Sequence, residues 1–347
     1  MTVSGKLKPS GDRLGDRMII PRILGREERT RSMNVQRING VLPAGRRIED
    51  LDLPCWLIDD AKALQGHPSF HAALRLYAEL VTDNFEKTYA LTRIISEEAR
   101  YMVSIALLAM HCSRDPHDPS SGATTTRLQA FAERFDLAGP NRVAALVAIM
   151  KHANYLHQTR VACDRRIKRI EPTVRGLAVT EAMTIATLRP MQLLSNTHDY
   201  LQIMRADPEF AGRYYSESIR LYANGCRILL ALPEFDLFGK QNAGREVMFK
   251  LWIALTNKGP VEPAVVSCAY NQMANSFGVS RGHIRRMIEK GQEQGLFVVR
   301  APGGQAIEIL PAFIHLHHTV TSLEFAMMLR AADVAASKSG RAEPLCW

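Results

Sequence analysis

Asn271-Gln-Met-Ala-Asn-Ser-Phe-Gly-Val-Ser-Arg-Gly-His-Ile-Arg-Arg-Met-Ile-Glu289 reads as two helices joined by a tight turn. Ala274 is small where the helices must cross closely, Gly278 suits a left-handed turn, and Val279 can bury itself between them. Ser280 is a good N-cap for the second helix, which buries Ile284, Met287 and Ile288 at helical spacing. That stripe turns Arg281, Gly282, Arg285 and Arg286 outward. Such a face can meet phosphates and guanine edges in a major groove, so Ser280, Arg281, His283, Arg285 and Arg286 are its candidate contacts.

Gly295-Leu296 ends the helix, and Phe297-Val-Val-Arg-Ala-Pro-Gly-Gly-Gln-Ala-Ile-Glu-Ile309 reads as a two-strand hairpin turning at Pro302–Gly304. Helix, helix and hairpin make a winged helix: helices over 271–295 and a wing over 296–310, with Arg300 near the wing's tip. The bland reading is a winged unit used for protein contacts, its arginines a solvated face.

The same plan recurs earlier in the chain. His67-Pro-Ser-Phe70 matches Asp207-Pro-Glu-Phe210, and Arg75-Leu-Tyr-Ala78 matches Arg220-Leu-Tyr-Ala223. Val143 pairs with Ile284, Tyr155 with Leu296, and Pro172 with Pro311, in unbroken order at an offset of about 140 residues. The spacing predicts a duplication, with a first repeat over 67–200 and a second over 207–335. In the first, Thr124–Phe135 forms the positioning helix and Pro140 opens the next, within 124–152. Val143, Leu146, Val147 and Met150 are its buried stripe, leaving Asn141 and Arg142 at the exposed end. Asn154 can take the left-handed conformation that closes it. A hairpin over 155–173 then carries Arg160, Arg165, Arg166, Lys168 and Arg169 against a single Asp164. A basic ribbon beside such a helix is what phosphate and minor-groove contact require; a merely solvated hairpin is the alternative.

At this hairpin the sequence resembles the MarR family of winged helix regulators. The family's wing signature runs Asp-x-Arg, an aliphatic, a Leu-Thr pair and a Gly; Asp164, Arg166, Ile170, Thr173 and Gly176 hold those positions, with Pro172 where Leu is usual. The resemblance covers roughly 100–187, and more loosely 245–331. It implies that Arg166 enters the minor groove while Asp164 orients it, and that flanking helices pack in a dimer-like core. The second wing lacks Asp-x-Arg. Family members carry one winged unit per chain, whereas two unlike units here imply one chain imitating the dimer, or a homodimer of such chains, on an asymmetric DNA site. The resemblance also implies a small-molecule effector of unknown identity; Met183, Met191, Met204 and Tyr200 line such a space or are plain core.

The fold expected is therefore mainly α with small β-hairpin wings, as tandem winged helix-turn-helix units sharing a helical, pseudo-dimeric core. Residues 1–60 read as a basic, partly disordered arm and 336–347 as a flexible tail. The 347 residues carry a formal charge of +9 and are 46% hydrophobic, which favours a globular chain with an anionic partner, here double-stranded DNA. Six singly spread cysteines, no apolar run near the roughly 20 residues of a membrane span and a polar N-terminus suggest a reduced, cytoplasmic protein. His315-Leu-His-His318 lacks a nearby acidic or cysteine partner and reads as packing or surface histidines rather than a metal site; His111, Cys112 and His117 read as structural. No phosphate loop, nucleophile motif or isolated carboxylate pair suggests an enzyme, and no cofactor is expected. The expected function is a sequence-specific transcription regulator; a plasmid-type replication initiator and a protein-binding scaffold are the competing readings.

Overall fold

A computed structural model describes residues 42, 45–87, 94, 95, 97–118, 120–161, 164, 166–343 and 345. They are mainly helical, with two small antiparallel sheets. Helices α1 (Cys55–Gln65), α2 (Phe70–Lys87) and α3 (Glu98–Cys112) precede a close pair, α4 (Thr125–Arg134) and α5 (Pro140–His152). Strands β1 (Leu156–Arg160) and β2 (Lys168–Pro172) follow, then α6 (Val174–Met191), α7 (Tyr200–Ala206) and α8 (Phe210–Ala223). After three short turns of helix come α9 (Gly244–Thr256), β3 (Val265–Val266), a second close pair α10 (Tyr270–Phe277) and α11 (Arg281–Glu293), β4 (Phe297–Ala301), β5 (Ala306–Ile309) and the long α12 (Pro311–Ser337).

Local chemistry sets these boundaries. The Thr124 hydroxyl accepts from Arg127 N–H to start α4, Pro140 sits in the first turn of α5, and the Ser280 hydroxyl accepts from His283 N–H to start α11. Gly278 takes the left-handed turn between α10 and α11 at φ 66°, and Asn154 closes α5 at φ 58°. Asp136 occupies the corresponding turn of the first pair at φ 51°, a conformation that Asp tolerates better than most residues. The apolar period through 179–204 predicts one helix, yet the chain breaks after Met191. Pro190 lies in the last turn, and the Asp199 carboxylate caps a new start by accepting from Gln202 N–H.

Helix pairing in the core is reciprocal. α2 packs on α6 and α8 on α12; across the halves, α3 packs on α8 and α9 on α2. The α3–α8 crossing is tight: a Cβ on Gly212 would lie 2.7 Å from the Cβ of Cys112. Burial raises the Cys112 thiol to about 11, so it stays a protonated packing group. At the centre Trp252 is fully buried and stacks on His317, with ring centroids 4.6 Å apart and planes 9° from parallel. Burial holds the His317 ring down at about 3, so it is neutral, and His318 packs edge-on to the same Trp at 5.1 Å.

Two expected boundaries are corrected. The arm drawn to residue 60 ends earlier, because Ile48 and Leu51 are buried and α1 buries Leu57, Ile58, Ala61 and Leu64 while packing along α12. Residues 1–41 of that arm lie outside the described residues. The tail from 336 is anchored too: Leu345 is buried, and Arg220 of α8 reaches the Glu343 carbonyl at 3.1 Å and its carboxylate at 3.3 Å. Among the described residues no helix is long and apolar enough to cross a membrane.

One buried charge in this core gives a pH-dependent expectation. Glu246, in the first turn of α9, is 2% exposed, and burial raises its carboxyl to about 7 from an ordinary 4.5. Between those values the folded chain keeps a proton that the unfolded chain has released. Stability therefore falls as pH rises from 4.5 to 7. The Glu246→Gln variant escapes this, so its stability relative to the parent should rise by about 3 kcal/mol across that window. Urea midpoints at pH 4.5, 6 and 7.5 will show it; a constant difference would mean that the carboxylate is solvated.

Candidate nucleic-acid interface

α11 is held by its buried stripe of Ile284, Met287, Ile288 and Gly291. Gly291 is required because a Cβ there would lie 2.4 Å from the Phe297 ring, at the crossing of α11 with β4. The stripe leaves Arg281, Arg285 and Arg286 exposed on the opposite face. Arg285 has an acidic neighbour, Glu289, one turn on at 3.6 Å. The Arg281 guanidinium lies beside the tip of the β4–β5 hairpin, where a Cβ on Gly303 would be 3.8 Å from its Nη2. At that tip Gly304 is left-handed, and its carbonyl accepts from Cys268 N–H at 2.8 Å. β3 then pairs with β5, giving the sheet order β3-β5-β4.

The other sequence candidates near α11 are occupied. Ser280 uses its hydroxyl as the N-cap, and the His283 Nε2 lies 2.8 Å from the Asn242 carbonyl, tying α11 to the turn before α9. Arg300 is ion-paired to Glu308 across the β4–β5 ladder, with Nε 2.7 Å from the carboxylate. The hairpin therefore carries little free positive charge of its own.

In the first half the balance reverses. The exposed surface of α5 offers Asn141, Ala145, Ala148 and Ile149, with Ile149 52% uncovered. Arg142 is exposed but paired to Glu97 at 2.8 Å. The β1–β2 ladder places Arg160 directly opposite Lys168 and Thr159 opposite Arg169. Opposed like charges weaken a ladder, so this hairpin end is intrinsically suited to a polyanion that neutralises them. Arg169 is half-buried, with its Nε 3.3 Å from the Ser121 carbonyl. Arg166 and Lys168 are exposed and line a cleft with Arg127, Thr125, Asp115 and Asp118. Arg165 lies outside the described residues.

The wing signature has local structural work. Asp164 accepts from the Arg166 backbone N–H at 2.9 Å, an Asx turn that shapes the hairpin tip rather than gripping the Arg166 guanidinium. Thr173, expected as the end of the wing, is instead the N-cap of α6: its hydroxyl accepts from Gly176 N–H at 3.1 Å and donates to the Asn154 carbonyl at 2.7 Å. Gly176 faces the Tyr155 carbonyl, which a Cβ would approach to 2.3 Å. The Thr-x-x-Gly spacing thus locks the hairpin root to the next helix.

Sequence reasoning missed two basic residues. Arg127 shares the cleft with Arg166 and Lys168, and its guanidinium donates to the Gly122 carbonyl at 2.8 Å. Arg175 stacks over the Tyr155 ring at 4.5 Å and donates to the Ala153 carbonyl. Arg127 lies inside the positioning helix Thr124–Phe135, and Arg175 lies just past the hairpin over 155–173; only their place at a helix start could have flagged them. Of the four residues named for an effector space, Met183 alone lines a cavity described here, while Met191 and Tyr200 are buried and Tyr200 donates to Asp333 at 2.6 Å. The histidines of α12 are packing groups of the core, as its stacked Trp252–His317 pair illustrates. Comparison of the chain with family models, with curated proteins and with solved structures returned no match in any of the three.

Proposed function

We propose that the protein is a sequence-specific, double-stranded DNA-binding transcription regulator built from two winged helix-turn-helix units on a pseudo-dimeric helical core. The observation that carries this reading is the exposed face of α11, where Arg281, Arg285 and Arg286 stand beside a hairpin tip. That is the disposition by which a recognition helix reaches phosphates and base edges in a major groove. The opposed Arg160 and Lys168 of the first hairpin, with Arg166, add a second basic site suited to phosphates or a minor groove. The reciprocal helix pairing supports a core in which one chain takes both roles of a dimer, acting as a monomer or as a pair of such chains. The MarR resemblance of the first wing is consistent with it, and the unlike heads call for two unlike half-sites about one helical turn apart.

A scaffold reading draws on a different observation. Ile149, Val174 and Leu177 are 52%, 86% and 48% exposed around the first unit, an apolar surface more usual in protein contact. Fluorescence anisotropy of the full chain with genomic duplexes from 50 to 200 mM salt separates the two. DNA binding requires a linear fall of log affinity with log salt, steeper by about 0.9 for each phosphate contacted. Salt-insensitive or absent binding to every fragment would leave the scaffold. Melting of single strands at iterated repeats would point to an initiator.

A further inference from the structure

Tyr77 and Tyr222 are the tyrosines of the repeated Arg-Leu-Tyr-Ala motif, and both line one cavity of about 170 Å³ between the halves of the chain. The first half contributes α2, α3 and α6 to its wall, and the second contributes α8, α9 and α12. Tyr101 keeps 38% of its surface uncovered, and it lines both this space and an adjoining one of about 80 Å³. An apolar cavity on the order of 150 Å³ accepts a benzene ring, so the larger space fits one aromatic ring with a short arm.

The polar groups of the wall decide the charge of the occupant. Among the described residues Arg245 is the only cation in the wall, and its guanidinium is held by a two-pronged ion pair to Glu324. Glu97 is paired to Arg100 and Arg142. That leaves Glu98 and Glu246, neither of which has an ion-pair partner among the described residues. The Oε2 of Glu246, on a side chain 2% exposed, has no hydrogen-bond partner there either. A buried carboxylate oxygen without a donor is unfavourable, and a ligand that brings a donor removes the penalty. Aromatic rings line the same space, and the face of such a ring attracts a cation and repels an anion.

We propose that this cavity binds a small aromatic ammonium, its ring among Tyr77, Tyr101 and Tyr222 and its charge at the carboxylates of Glu98 and Glu246. An arylalkylamine of a single ring has the size, the aromatic body and the donor that the wall lacks. The proposal concerns the free protein and stands apart from DNA binding.

Isothermal titration of the full chain at pH 8 with phenethylamine, 2-phenylethanol and phenylacetate tests it. These three probes share a ring and differ chiefly in charge. Phenethylamine should bind, and phenylacetate should not. Glu246→Gln or Glu98→Gln should weaken the amine by about tenfold or more while leaving the circular dichroism spectrum unchanged. Misfolding is not the expected confusion at position 246, where the amide removes a buried charge. Absence of heat with the amine at millimolar concentration would overturn the proposal. So would phenylacetate or phenylethanol binding as tightly, or full amine affinity in both glutamine variants.

Discussion

Replacing Arg281, Arg285 and Arg286 together by alanine will lower affinity for duplex DNA by about 10²–10³-fold and flatten the log–log salt slope by about 2.7, at about 0.9 for each lost phosphate contact. All three are exposed on α11, opposite the buried Ile284, Met287 and Ile288. Among the described residues only Arg285 has an acidic neighbour, Glu289 at 3.6 Å, and an exposed pair of that kind contributes little to stability. Surface substitutions of this sort shift stability within about 0.5 kcal/mol, so the urea midpoint should be unchanged while binding collapses. Changing Arg160, Arg166 and Lys168 to alanine tests the other basic site. If wing contacts are phosphate contacts, that variant should lose affinity evenly across sequences, whereas the α11 variant should also lose discrimination between cognate and scrambled duplexes. Undiminished affinity in the α11 variant would remove the basis of the DNA reading.

Trp252→Ala should destabilise the fold by about 3–5 kcal/mol, the range for deleting a large aromatic from a packed core. Trp252 is fully buried where α9 meets α12, stacked on His317 and edge-on to His318. Its removal would strip one face from His317, whose two ring nitrogens already lack hydrogen-bond partners among the described residues. The Trp252 Nε1 lacks one as well. Trp252→Phe therefore loses volume but also deletes an unsatisfied N–H, and it should cost well under half as much as alanine. Urea denaturation followed by far-ultraviolet circular dichroism measures both. An alanine variant within about 1 kcal/mol of the parent would show that this packing contributes little to the stability of the fold.

The parts of this fold that were legible in sequence are those fixed by local chemistry. Gly278, Ser280, Pro140, Asn154 and the turn at Pro302–Gly304 each act within a few residues, and each falls where its residue type predicts. The burial of α1 depends on α12, a partner far along the chain that periodicity does not name, and the break after Met191 rests on Pro190 and the Asp199 cap, which the apolar period masks. β3 is only two residues long, too short for any alternation to announce it. Candidate contacts divided in the same way. The outward arginines of α11 followed from its buried stripe, but sequence could not foresee that Glu97 would hold Arg142, Glu308 would hold Arg300, or a backbone carbonyl would hold His283. The cavity between the halves was illegible, because its walls come from six helices spread over some 250 residues.

The reciprocal pairing of α3 with α8 and of α9 with α2 has a consequence for how the surface can vary. In an assembly of two identical chains, every substitution is made twice, on both sides of the axis at once. Here both sides belong to one polypeptide, so a change falls on one side and leaves the other as it was. α5 and α11 are accordingly free to differ, and their exposed faces do: Asn141, an ion-paired Arg142, alanines and Ile149 cover one, and arginines the other. Mutation can retune either face without forcing a matching alteration on its counterpart, which a symmetric pair of identical subunits cannot do.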